Sequence, residues 1–247
     1  MLNLSKDDPR AVAVKKAIET GDVEGLSRLL REHADLAGAR IGCKDLATGE
    51  GGRTLLHTVT DWPGHFPNGP AVVAALVGAG ADVNGRSIGG AHEETPLHWA
   101  ASSDDVAVLD ALLDRGADIE ADGSIIDGTT ALADACAFGN WRSARRLIER
   151  GAKSNLWQSA SLGLMDRVAA KFTASEQPSS EDITNAFWCA CHGGQREAAE
   201  YLLARGADRN WIGYDELTPL DAARRSEAHE LADWLVTQGA KLASELR

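Results

Sequence analysis

Thr95-Pro96-Leu97-His98-Trp99-Ala100-Ala101 decides how this chain folds, because partial copies of it recur: Thr54-Leu55-Leu56-His57, Thr130-Ala131-Leu132 and Thr218-Pro219-Leu220-Asp221. Each copy is followed by an apolar run of helical character and then by a Gly-Ala step, at Gly80-Ala81, Gly116-Ala117, Gly151-Ala152, Gly206-Ala207 and Gly239-Ala240. From Gly80 to Gly116 is 36 residues, from Gly116 to Gly151 is 35 and from Gly206 to Gly239 is 33. Threonine before proline suits a helix start, since the hydroxyl caps free backbone N–H groups and proline fits the first turn. A fixed period of this length means supersecondary units that bury their apolar faces only by stacking on neighbours.

A period of about 33 residues built on T-P-L-H-x-A resembles the ankyrin-repeat family. The resemblance covers nearly the whole chain, and in overall form it is similar to compact bacterial ankyrin proteins. It implies an all-α solenoid of helix-turn-helix units with hairpin-like fingers, as a single domain over residues 1–247. It also implies that the motif histidine ties neighbouring repeats and that the paired alanines let helices approach closely. About seven units follow, at 12–37, 54–80, 95–116, 130–151, 156–172, 185–206 and 218–239. Gly21-Asp22 is the turn of the first, whose core stripe is Leu26, Leu29 and Leu30. The fifth is degenerate: Gly151 to Gly206 spans 55 residues, with almost no finger before it and a Ser/Glu/Pro-rich stretch, Thr173–Asp182, expected as a loop after it.

The formal net charge is −12, with 25 Lys and Arg against 37 Asp and Glu. Such a balance argues against nucleic acid and against anionic membrane surfaces, both of which need clustered cations. The first residues lack the apolar run of a secretory leader, and no stretch reaches the ~20 apolar residues of a membrane span. Four cysteines are too few for a secreted disulfide scaffold. The expectation is a cytoplasmic protein with reduced thiols and, from its acidic surface, a monomer.

Departures from the repeat are where function is expected, since ideal repeats need only stack. The inter-helix turn of the second unit is expanded to Asp61-Trp62-Pro63-Gly64-His65-Phe66-Pro67-Asn68-Gly69-Pro70, stiff with proline and lined by aromatics. It lies beside the concave groove of an ankyrin stack. In the family, the residue after the motif and the two after the alanine pair face that groove. The first of these positions holds Thr58, Trp99, Asp134, Gln158, Cys189 and Ala222; the second and third give Asp61-Trp62, Ser102-Ser103 and Ala137-Phe138 in units two to four. The candidate binding residues are therefore Asp61, Trp62, His65, Trp99, Ser102, Ser103, Asp134 and Phe138, with Thr58 beside them. The fingers after units two and three are long, and carry Arg86, His92, Glu93, Glu94, then Glu120, Asp122, Ile125, Ile126 and Asp127.

Seven of the thirteen aromatic residues are tryptophan. Trp157 and Trp188 stand where the motif has histidine and are expected to fill space there; Trp141 and Trp234 are expected to pack on second helices. Trp211 sits on a finger, free for a partner or for stacking. No nucleophile motif or phosphate loop is present. Cys189 and Cys191 point to different helix faces and make no zinc half-site. Cys136 and Cys191 fill the small alanine slot as hydrophobes, and Cys43 lies on a finger. No metal, no cofactor and no catalytic residue is assigned. His57 and His98 are structural, which leaves His65 with Asp61 and Asp134 as the one possible acid–base cluster. The leading expectation is a protein or peptide held in the groove of units two to four. The alternative is a small-molecule pocket, or an active site, roofed by the 61–70 turn.

Overall fold

The computed structural model describes residues 2–42, 51–62, 64–89, 93–126, 128–175 and 177–247. Cys43, Pro63, His92 and Asp127 lie outside the described residues. Contacts divide the chain into two compact units, residues 1–152 and 153–247.

In the first unit, four helix pairs follow one another: α1 (Pro9–Thr20) with α2 (Val23–Glu32), α3 (Leu55–Val59) with α4 (Gly69–Gly78), α5 (Pro96–Ser102) with α6 (Val106–Leu113), and α7 (Ala131–Ala137) with α8 (Trp141–Glu149). First helices pack on first helices and second on second, α5 against α7 and α4 against α6. Leu56, Leu97, Leu109, Leu132 and Leu147 are fully buried between them, as are Ala100, Ala101 and Cys136. A side chain larger than Cys in those last three slots would push the helices apart. Asp22 caps α2, its side chain accepting the Gly25 N–H at 2.8 Å. The periodicity of the sequence does not show a small sheet: β1 (Asn3–Leu4) pairs parallel with β2 (Arg40–Gly42), which pairs antiparallel with β3 (Gly52–Thr54). It joins the N-terminal residues to the strand that leads into Thr54.

The motif histidines join successive repeats. His57 Nδ1 takes the backbone N–H of Thr54 at 3.2 Å. A backbone amide can only donate, so Nδ1 is unprotonated and Nε2 carries the hydrogen. That N–H donates to the carbonyl of Glu94, 3.0 Å away on the next repeat. His98 does the same, with Thr95 behind it at 3.2 Å and the Thr129 carbonyl ahead at 3.3 Å. Arg146 of α8 and Arg150, the residue that follows that helix, bind Asp110 of α6, both at 2.8 Å.

The second unit holds α9 (Leu156–Ser161) with α10 (Met165–Lys171), α11 (Ser180–His192) with α12 (Arg196–Leu203), α13 (Pro219–Arg225) with α14 (His229–Thr237), and the short α15 (Ala243–Leu246). Here α11 begins at Ser180 rather than near Asn185, so the loop expected to run to Asp182 ends sooner. The cause is a capping box: Asp182 accepts the Ser179 N–H at 2.9 Å while Ser179 Oγ accepts the Asp182 N–H at 3.1 Å. Trp188 does more than fill space. Its indole N–H donates to the Leu217 carbonyl at 2.9 Å, and Leu217 precedes Thr218 as Glu94 precedes Thr95. It therefore makes the inter-repeat bond of a motif histidine. In the fifth repeat the cap passes from Trp157 to its neighbour: Gln158 Oε1 accepts the Asn155 N–H at 2.9 Å, and Trp157 is half-buried against the core. Trp211 stacks edge-on against Tyr214 of its own finger, with ring centroids 5.9 Å apart.

Candidate functional site

The second, third and fourth repeats of the first unit enclose an open cleft of about 530 Å³. Trp99, on α5, forms its floor. Three groups hold the indole: Nε1 donates to the Glu94 carboxylate at 3.0 Å, the ring makes a T-shaped pair with that of His57 at 5.0 Å, and the Arg53 guanidinium lies 5.8 Å from its centroid. Arg53 is tethered in turn by Asp61 at 2.8 Å. The ring is half-buried, with the remainder facing the cleft.

The expanded turn makes one wall. Asn68 Nδ2 donates backward to the Gly21 carbonyl of the first repeat's turn at 3.0 Å. His65 reaches forward, its Nε2 2.9 Å from the Ser103 carbonyl at the end of α5. Gly64, His65 and Asn68 all adopt left-handed backbone conformations, with φ of 72°, 55° and 57°, which sets the tight path between these anchors. The turn thus bridges the turns of the first and third repeats. It leaves Trp62 at the cleft edge and 89% exposed, so it is a side wall rather than a roof. Phe138 and Ile125, 49% and 43% exposed, form the opposite side. Asn140 closes the end, donating to the carbonyls of Ala101 and Ser102 at 2.9 and 2.8 Å.

Six of the eight residues expected from the sequence line this cleft: Asp61, Trp62, Trp99, Ser102, Ser103 and Phe138. His65 is spent on Ser103, outside the lining. Asp134 is wholly buried below; Ser124 Oγ donates to its Oδ1 at 2.6 Å. Burial pushes its carboxyl up to about 7 against the opposing Ser124 hydrogen bond, and the charge of Glu94 pushes the same way. The acid–base cluster of His65, Asp61 and Asp134 is therefore not assembled: each has a separate partner. Among the described residues no group of three or more His, Cys, Asp or Glu side chains is placed to hold a metal ion.

The positions after the motif also need correction. Thr58, Asp134, Gln158, Cys189 and Ala222 are buried, not groove-facing. Asp134 ends against Ser124, whereas the large ring of Trp99 is half-buried and reaches the cleft. Thr60, Glu94, Ile125 and Asn140 line the cleft without having been singled out for it. Glu94 and Ile125 were visible as residues of the long fingers, and Glu94 also as the residue that precedes a motif threonine.

The model of ankyrin repeats, in three copies, matches residues 66–158. The crystal structure of the human ASB11 ankyrin repeat domain superposes with a TM-score of 0.50 at 17% identity, over 90% of this chain and 96% of that one. Residues 66–158 are ankyrin repeats, and the chain has the ankyrin-repeat fold. An ankyrin repeat and KH domain-containing protein of Caenorhabditis briggsae is 29% identical over 182 residues, which are 70% of this chain. The RelA-associated inhibitor of Mus musculus is 32% identical over 136 residues, 49% of this chain. The matched regions make up only 7% and 16% of those two relatives. Among the described residues, no helix is long and apolar enough to cross a membrane.

Proposed function

We propose that this ankyrin module holds an extended segment of a protein partner in the cleft of its second to fourth repeats. The observation that carries this reading is Trp62: a large apolar ring, almost wholly exposed, beside a second half-exposed indole and an exposed Phe. Exposed apolar surface of this kind marks an interaction site, and tryptophan is a frequent anchor of interfaces. The cleft volume also falls in the range of small-ligand sites. Such sites bury most of their ligand, whereas a small molecule on the floor here leaves Trp62 in water. A chain crossing the cleft covers it. The four cysteines of the chain, too few for a secreted disulfide scaffold, support a reducing compartment, the cytoplasm, as its place of work, and the acidic surface supports a monomer.

The test uses the full chain carrying a photo-crosslinking phenylalanine analogue at Phe138, in the source cell. A partner crosslinked there is expected to be lost on Trp62→Ala. That substitution is expected to leave thermal stability within about 0.5 kcal/mol, because an exposed ring contributes little to the fold. Complexes that all survive Trp62→Ala put the binding surface elsewhere.

A further inference from the structure

We infer that a pocket on the first repeat takes one anionic side chain, a carboxylate or a phosphate, of the segment that crosses the cleft, with Lys6 and Lys16 as its counter-charges and Arg53 beside them. That the anion belongs to this segment rests on the groove reading above; the pocket itself is made of other residues. It encloses about 410 Å³ against α1, β2 and β3. Four cations line it, Lys6, Lys15, Lys16 and Arg53, with one carboxylate, Glu19. That is the reverse of the whole chain, in which 37 Asp and Glu outnumber 25 Lys and Arg. Lys15 and Glu19 answer each other at 3.5 Å, one helical turn apart. Arg53 Nη1 meets Asp61 at 2.8 Å, and Nε of the same guanidinium is buried with no hydrogen-bond partner. Lys6 and Lys16 are exposed, and among the described residues neither has an ion-pair partner.

An anion in this pocket gains charge-assisted bonds from the ammonium groups. Val12 and Ile41, also in the lining, lower the local dielectric, which strengthens each such contact. A polyanion gains less. Beyond the pocket a nucleic acid or an anionic bilayer runs on to the acidic remainder of the chain, whereas a single side chain stops among the lysines. Arg53 joins the pocket to the cleft: its guanidinium lies 5.8 Å from the centroid of Trp99, the cleft floor, and Asp61, its ion-pair partner, lines the cleft. The helices α1, α3 and α5 pack side by side in that order. Packed helices stand about 8–10 Å apart, so two steps separate α1 from the helix that carries Trp99. An extended chain, at about 3.3 Å per residue, covers them with about five or six residues.

The experiment pans a phage-displayed library of random peptides on the full wild-type chain, with counter-selection on Trp62→Ala. Peptides that depend on Trp62 are expected to carry one fixed Asp or Glu, about five or six residues from a fixed apolar residue. Replacing that acid by its amide in the synthetic peptide is expected to weaken binding by about tenfold, on the order of the factor that one charge-assisted contact supplies. The double variant Lys6→Gln, Lys16→Gln folds as wild type does, since both side chains are exposed. It is expected to weaken the acidic peptide by a similar factor and to leave the amide peptide unchanged. Phosphoserine at the same position names the source of the anion: tighter binding than the acid means a phosphorylated segment, weaker binding a carboxylate. Trp62-dependent peptides with no fixed acid, or a double variant that binds both peptides as wild type does, overturn the pocket and leave the groove reading standing. No Trp62-dependent peptide at all overturns the groove reading and the assignment of the anion to its segment. A second panning, counter-selected on the double variant, then decides the pocket alone: acidic peptides that need the two lysines keep it as an anion site, and their absence strikes it too. If inorganic phosphate binds the wild-type chain as tightly as the acidic peptide, and the double variant not at all, the pocket is one for small anions and the assignment to a protein segment fails.

Discussion

At the scale of single residues, burial sets the protonation of three groups in the first unit, and they pull in opposite directions. Burial drives His57 down to about 3 and His98 down to about 4, with hydrogen bonds to the carbonyls of Glu94 and Thr129 only partly opposing it. Unfolding releases these rings to titrate near 6.5. Below that value the unfolded chain takes up protons that the folded chain refuses. Their contribution to stability is thus complete above 6.5 and is lost as pH falls, by about 1.4 kcal/mol per pH unit for each histidine. Asp134 runs the other way. Burial pushes its folded carboxyl up to about 7 from an ordinary 3.8 in the unfolded chain, so its contribution is full below 3.8 and is lost as pH rises toward 7. Two histidines against one carboxyl leave a net loss on acidification. Asp134→Asn isolates the third group: the amide oxygen still accepts from Ser124, and no charge has to be buried. Urea unfolding is expected to show the variant more stable than wild type at pH 8 by roughly 1–3 kcal/mol, with the advantage gone or reversed at pH 5. An equal difference at both pH values means that Asp134 is not held protonated by the fold.

At the scale of elements, the expanded turn between α3 and α4 is the feature that distinguishes this stack, and its path depends on Gly21. The backbone there is left-handed, with φ of 65°, and a Cβ would stand 2.3 Å from the Pro67 carbonyl oxygen. Gly21→Ala combines a strained conformation with a backbone clash, and each effect costs on the order of 1–3 kcal/mol. Chemical denaturation is expected to register at least about 2 kcal/mol for Gly21→Ala and little for Gly38→Ala, where nothing lies within 4 Å of the added carbon. Equal stabilities for the two variants would mean that the turn does not dock on the first repeat. The sequence shows the length and stiffness of this turn plainly, through its prolines and aromatics. It does not show the anchors, because both are main-chain carbonyls, of Gly21 and Ser103, and a carbonyl carries no side-chain identity. The same reasoning explains the buried Asp134. Its place in the repeat is legible from the motif, but whether it faces the groove depends on how low the finger with Ser124 closes over it. The role of Trp188 is hidden for a related cause: its bulk is visible in the sequence, and the partner of its N–H, the carbonyl of Leu217, is not.

At the scale of the whole molecule, the repeat pattern extends through both compact units, and the regular spacing of Gly-Ala steps made that legible before any coordinates. What spacing cannot supply is how far cooperativity extends, because in repeat proteins each unit is stabilised by its neighbours and a perturbation spreads only as far as those contacts are strong. Phe187 provides a way to measure it. Among the described residues it is the largest fully buried side chain; it sits where Leu97 sits in the third repeat and belongs to one buried cluster with Leu156, Val168, Ile183 and Leu220. Phe187→Ala leaves a cavity there and is expected to cost about 3–5 kcal/mol. Amide hydrogen exchange followed by mass spectrometry then reports where that loss is felt. Faster exchange is expected across residues 153–247, with the cleft segments around Trp99 and Phe138 keeping most of their protection, since the contacts of the cleft lie within residues 1–152. Uniform acceleration along the entire chain would instead mean that residues 1–247 unfold as one domain, so that any variant in the second unit also weakens partner binding in the first.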